Sequence, residues 1–189
     1  MTHRIDCDMD EDCNCPAGEQ PVLRAMTFRQ PWLSFVLGNA AAFPGVGSKW
    51  IENRPRGPGR LLGTVIALHN GLGLDDLPES MHALCAPHPH IPLPDFPPGH
   101  IVGLARVVGN VGPKSTTLWG GKSRFATTDQ LLREAVKSPW RSKAPGNHAW
   151  ALDERLILPR PVPCSGNQIY GWAVPPDVAA QVFEQVALR

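Results

Sequence analysis

Eight residues, Gly47-Ser48-Lys49-Trp50-Ile51-Glu52-Asn53-Arg54, put a cation, a carboxylate and a guanidinium within short reach of one another. In an extended strand, side chains alternate. Trp50, Glu52 and Arg54 are therefore expected to point one way, and Lys49, Ile51 and Asn53 the other. Glu52 and Arg54 then meet on one face, as an ion pair or as two walls of a ligand site. Gly47 lets the chain turn sharply ahead of the strand, which frees Lys49 from the alternation and lets it curl toward the same site. Such a set can hold a polar or anionic ligand. It can also run proton transfer, with Glu52 as general base and Lys49 stabilising developing negative charge or orienting that base. Arg54 would then hold Glu52 or the substrate. A structural alternative uses the same residues: a Glu52–Arg54 pair closing the mouth of a sheet, beside a solvated Lys49.

His69 and Asn70 end an apolar run, where polar side chains would sit at the rim of a sheet. His69 could hydrogen-bond a ligand or act as acid or base, although a satisfied histidine at the core edge is the plainer reading. Gln30 and Trp32 have the chemistry to read a nucleobase, by amide hydrogen bonding and stacking. Trp32 also opens the apolar stripe of a helix, which favours a core position for it. Asn147 and His148, just ahead of Trp150, are further candidates for the same cleft. Cys7, Cys13 and Cys15, with His82, Cys85, His88 and His90, superficially resemble metal ligands. They contain no C-x-x-C pair and fall in two separate segments, so no metal is expected. No cofactor is expected either. The chain lacks a Walker phosphate loop, a dinucleotide fingerprint and a G-x-S-x-G elbow, which argues against the chemistries that use them.

The elements that must position these residues are short. Leu23–Phe28 suits a first strand, and Pro31 opens a helix ending near Gly38 and Asn39, with Trp32, Phe35 and Val36 on one face. Lys49–Arg54 reads as a short strand, and Leu61–His69 as a buried one. The proline-rich stretch from Asn70 to His100 is expected to be mainly surface loop, with a helical turn or two near Leu74–Leu84. His100–Val111 alternates as a buried strand, and Gly112–Arg124 reads as loop. Thr128–Lys137 has the capping and periodicity of a helix. Asn147–Leu158 and Gly171–Val174 read as strands, and Pro176–Leu188 as a closing amphipathic helix. Together these give an α+β fold with a closed or nearly closed sheet.

With 189 residues and 42% hydrophobic content, the chain can bury one sizeable core, while 21 prolines and 18 glycines exclude long unbroken helices. Residues 1–21 combine low hydrophobicity with acidic charge and are read as a flexible tail, leaving 22–189 as the domain. The sequence has neither a secretory pattern nor an apolar run long enough to span a membrane, so a cytoplasmic protein with reduced thiols is expected. Net charge is only +1, but it is unevenly spread. Residues 1–20 carry −5, 21–60 carry +5, 61–100 carry −4, 101–143 carry +6 and 144–189 carry −1. If the two basic segments share a face, they make a footprint for an anionic partner such as RNA.

The spacing Gly47-x-Lys49-x-x-Glu52-x-Arg54 resembles the signature of the ASCH (activating signal cointegrator homology) family at all four fixed positions. The likeness extends in order along the chain. Phe28-Arg29-Gln30-Pro31-Trp32 resembles the family's passage from first strand to helix, and Arg60 through Asn70 its next strand, which commonly ends at a His. Gly99–Arg106 resembles the strand after that, and Trp150-Ala151-Leu152, Pro161-Val162-Pro163 and Gly171-Trp172 its C-terminal part. The resemblance covers nearly all of residues 22–180. It implies a PUA-like β-barrel with flanking helices, and a cleft bearing the motif that takes RNA or a nucleoside-like ligand. It also implies membership beside amidohydrolases of acetylated cytidine and proteins described as ribonucleases. In the amidohydrolase branch Thr stands where this chain has Glu52, and Lys49 falls at that branch's catalytic lysine. If the chain is an enzyme, the resemblance implies hydrolysis, with Lys49 and Glu52 the expected catalytic residues, Glu52 as general base on water and Lys49 stabilising an oxyanion. Gln30, Trp32, Arg54, His69, Asn70, Asn147 and His148 are the expected substrate contacts. A non-catalytic module that binds RNA or a protein through the same cleft is the alternative.

Overall fold

Strands form where apolar and β-branched residues run unbroken between glycines and prolines. The computed structural model describes residues 22–38, 47–76, 79, 94–167 and 170–187. Its elements, in chain order, are β1 (Arg24–Gln30), α1 (Trp32–Leu37), β2 (Ile51–Arg54), β3 (Val65–Leu74), β4 (His100–Val111) and β5 (Thr116–Leu118). They continue with α2 (Thr128–Lys137), β6 (His148–Pro163), β7 (Trp172–Ala173) and α3 (Pro176–Ala187). The fold is α+β. Seven strands make one mixed sheet in the order β2-β6-β4-β3-β1-β7, with β5 attached to the end of β4. The β1–β3 pair is parallel and the others are antiparallel.

Alternation along the strands divides the core. Met26 and Phe28 of β1, Ile66 and Leu68 of β3, and Trp150 and Leu152 of β6 pack with Leu33, Val36 and Leu37 of α1. Ala25, Ala67 and Ile101 face the other way, against Val178, Ala179 and Val182 of α3. A third cluster joins Ile51 of β2 and Val108 of β4 to Leu131 and Ala135 of α2. Three register irregularities between β4 and β6 bend the sheet, and Glu154 lies within this stretch at φ 47°. Irregularities of this kind sharpen strand curvature and re-aim side chains. Arg155 follows immediately, and its Nη1 donates to the carbonyls of Val36 at 3.0 Å and Lys49 at 3.1 Å.

The structure departs from the sequence reading in several places. The sheet is open: among the described residues the edge strands β2 and β7 do not pair with each other. The free side of β1 is taken by the two-residue β7, and side chains rather than backbone cross from β2 toward β1. β3 runs on to Leu74, because Gly71 and Gly73 let its extension lie flat against Thr27, Phe28 and Arg29 of β1. The expected loop after Gly112 contains β5, which pairs with Gly109–Val111. β6 continues past Leu158 through three prolines. β2 covers only its first residues, so over the rest the outer edge needs no N–H. In α1, Val36 enters the first core cluster, whereas Trp32 and Phe35 turn to the third. Residues 1–21 lie outside the described residues, as do residues 39–46, all the cysteines and histidines weighed as metal ligands, and most of the Leu74–Leu84 segment.

Candidate functional site at the open seam

Gly47 adopts φ 67°, a conformation that glycine enters without the Cβ penalty of other residues. The Lys49 N–H then donates to the Phe35 carbonyl at 2.9 Å, which ties the segment to the end of α1 before β2 begins. Lys49 therefore precedes the strand, and its side chain folds forward. Its Nζ donates to the Ile51 carbonyl at 2.6 Å and pairs with Glu52 Oε2. Within β2 the alternation holds: Ile51 enters the core while Glu52 and Arg54 share the opposite face. Trp50 also precedes the strand, so the alternation does not reach it. It packs on Phe125, 5.3 Å between ring centroids, rather than beside Glu52.

Burial makes this cluster unusual. Lys49 is 3% exposed and Glu52 8%. Desolvation pushes the Lys49 ammonium below its ordinary value, opposed by the attraction and hydrogen bond of Glu52 and assisted by the nearby Arg54 charge. Glu52 Oε1 lies 3.0 Å from Arg54 Nε, but the N–H does not point at it, so the contact is Coulombic rather than a formed hydrogen bond. The Arg54 guanidinium lies 5.5 Å from the Phe28 ring centre and 5.0 Å from that of Tyr170, and its Nη2 donates to the Thr27 carbonyl at 3.1 Å. Arg54 thus crosses the open seam from edge strand β2 to β1.

A cleft of about 1060 Å³ opens along this seam. Lys49, Glu52, Arg54, Trp32 and His69 all line it. The Trp32 indole is fixed by an Nε1–H donated to Asp75 Oδ2 at 3.1 Å, with Lys49 Nζ 5.8 Å from its ring centre. Asp75 also pairs with Arg29 at 3.0 Å. His69 is 3% exposed, with Nε2 3.0 Å from the Cys164 carbonyl and Nδ1 3.2 Å from Thr27 Oγ. Burial lowers its basicity below the ordinary histidine value.

The other four expected contacts are outside the cleft lining. Asn70 follows His69 in β3, so alternation turns it to the opposite face, where it is buried and donates to the Phe96 carbonyl at 2.7 Å. Gln30 accepts from the Ser34 N–H and hydroxyl in the first turn of α1. Asn147 donates to Ser142 Oγ, and His148 meets Asn110 Oδ1 at 3.1 Å beneath Gly57 and Gly112. Sequence reasoning missed Thr27, Arg29, Asp75 and Tyr170, which also line the cleft. Thr27 and Arg29 were visible as polar residues two apart in β1, on the face opposite Met26 and Phe28, and Tyr170 is the chain's single tyrosine. Nothing local marks Asp75.

Among the described residues no group of three or more His, Cys, Asp or Glu is arranged to hold a metal ion. No helix among them is long and apolar enough to cross a membrane. No family model matches the chain, and no curated protein matches it at a significant level.

Proposed function

We propose that this is a cytoplasmic, PUA-like ASCH domain that recognises RNA or a modified nucleoside in the seam cleft. One observation carries the reading: Lys49, Glu52 and Arg54 stand together on one wall of a large cleft, with the rings of Trp32 and Tyr170 also lining it. A nucleoside presents a π-face and a polar edge, and in RNA also phosphates. The cleft offers ring faces, a fixed carboxylate and two cations. Stacking of a base on an aromatic side chain contributes about 1–3 kcal/mol. The resemblance to the ASCH pattern at all four motif positions supports the assignment, as does the glycine conformation at the first of them. A sheet bent far enough for Arg54 to reach the backbone of β1 is in keeping with a PUA-like barrel.

Between recognition and hydrolysis, the geometry of Glu52 favours recognition. Each of its oxygens already faces a cation, so water activation would have to compete with an ion pair. The test is a titration of modified nucleosides and short single-stranded RNAs, following retention and turnover by mass spectrometry. Retention without product is expected, weakened at least tenfold by Arg54→Ala and by Trp32→Ala. Turnover abolished by Glu52→Gln would make the protein a hydrolase. Failure to retain any probe would remove the nucleic-acid reading.

A further inference from the structure

We infer that Thr27 and His69 form a nucleophile–base pair in the cleft, able to accept an acyl group from a carboxylic ester. The inference goes beyond nucleoside recognition and does not depend on what binds beside Arg54. The two residues are direct partners in the parallel register of β1 and β3, so their side chains share a face, and both line the cleft. The Cys164 carbonyl can only accept, so His69 Nε2 carries the proton. The imidazole is buried and neutral, which leaves the Nδ1 lone pair directed at Thr27 Oγ, 3.2 Å away. A hydroxyl, a base and a group fixing the base's tautomer are the parts of an activated nucleophile.

The surroundings of Oγ suit that role. Its proton is donated to the Asn167 carbonyl at 2.6 Å, and rotation about the Cβ–Oγ bond redirects it to Nδ1. The Trp172 indole N–H donates to the same oxygen at 3.2 Å, which stabilises negative charge as it develops there. Arg54 lines the same cleft and donates to the Thr27 backbone carbonyl, which holds β1 in place beneath the pair. The loop 164–167 brings both carbonyls because residue 166 is glycine: a Cβ there would sit 2.0 Å from the His69 ring.

The chemistry balances without a cofactor. Thr27 Oγ attacks the ester carbon while its proton passes to His69 Nδ1. The carbon–alkoxy bond then breaks, and the departing oxygen takes that proton. Water hydrolyses the acyl-threonine, giving one proton to Nδ1, which returns it to Oγ as the carboxylic acid leaves.

The same contacts would be made by a hydroxyl that merely ties loop to sheet, so the test must read a covalent product. Full-length protein is incubated with p-nitrophenyl acetate, quenched in acid, and mapped by peptide mass. The expected result is a single acetyl group on Thr27, kept in Thr27→Ser, absent in Thr27→Val and formed about a hundredfold more slowly in His69→Gln. Thermal melts accompany each variant. Should Thr27→Val or His69→Gln fail to fold, the site of the adduct in the unmodified sequence decides. Acetylation confined to lysines or Cys164, or no adduct at all, overturns the inference.

Discussion

Lys49 is where burial and charge oppose each other most directly. Its ammonium is nearly inaccessible and is held by Glu52 and one backbone carbonyl. Removing one partner of a buried pair typically costs about 3–5 kcal/mol, because the other charge is left stranded. Glu52→Gln is therefore expected to cost about that much in chemical denaturation. Lys49→Met should cost less, since Glu52 keeps Arg54, and the double variant less than the sum of the two. In Glu52→Gln the folded protein binds Lys49's proton less readily than the unfolded chain does. Its stability should therefore recover as pH rises toward 10.5, the ordinary lysine value. His69 gives a second titration with the same sign. Its folded-state basicity is depressed, so the unfolded chain binds more protons below about pH 6.5. Stability is expected to be full above that value and to fall as pH drops through the lowered one, by at most about 1.4 kcal/mol per pH unit. Denaturation midpoints between pH 7 and pH 4 should decline less in His69→Gln. At this scale the sequence was informative about Lys49, Glu52 and Arg54, because strand alternation and one glycine govern where they point. It was silent on Asp75 and on the carbonyls of Cys164 and Asn167, whose places depend on distant parts of the chain.

Among the elements, β4 was legible to its boundaries, since twelve residues of nearly unbroken apolar pattern leave a strand little alternative. β5 was not, because three residues of Thr-Thr-Leu carry no period and acquire strand geometry only from the edge of β4. The extension of β3 was hidden because its glycines fall in the stretch read as surface loop, yet they serve as flat contact against β1. His69 and Asn70 were judged together at the rim, yet neighbours in a strand cannot share a face, so only His69 reached the cleft. The loop 164–167 was not anticipated as a wall of the site. Its closeness to His69 yields a direct test. Gly166→Ala forces the loop off the imidazole and is expected to cost about 1–3 kcal/mol. It should also raise amide exchange at residues 164–167 while leaving β4 protected. Unchanged exchange in that loop would mean the packing is looser than the contact implies.

Across the whole molecule, the α+β class could be read from the alternation of short strands and helices, but closure of the sheet could not. Closure depends on which edges meet, and that is settled by β7 occupying β1. Charge at this scale gives a binding prediction. Arg56 and Arg60 are exposed on the turn after β2, whereas Arg124 already stacks on Trp50 at 4.3 Å and approaches Glu134 at 3.7 Å. If single-stranded RNA binds, Arg56→Ala and Arg60→Ala should each flatten the slope of log affinity against log salt by about 0.7, and Arg124→Ala by less. Fluorescence anisotropy at several salt concentrations would measure it. The open seam has one more consequence. β2 is an edge strand, and an unpaired strand edge is a template for joining another chain unless charge protects it. Glu52 and Arg54 are inward-facing charges on that short edge, so the residues that shape the cleft are also expected to discourage edge pairing between copies. Variants that neutralise both should therefore associate into higher species on size-exclusion chromatography as concentration rises. Solubility would then constrain these positions alongside ligand recognition, and a sequence could drift from one ligand to another while its edge charges stay in place.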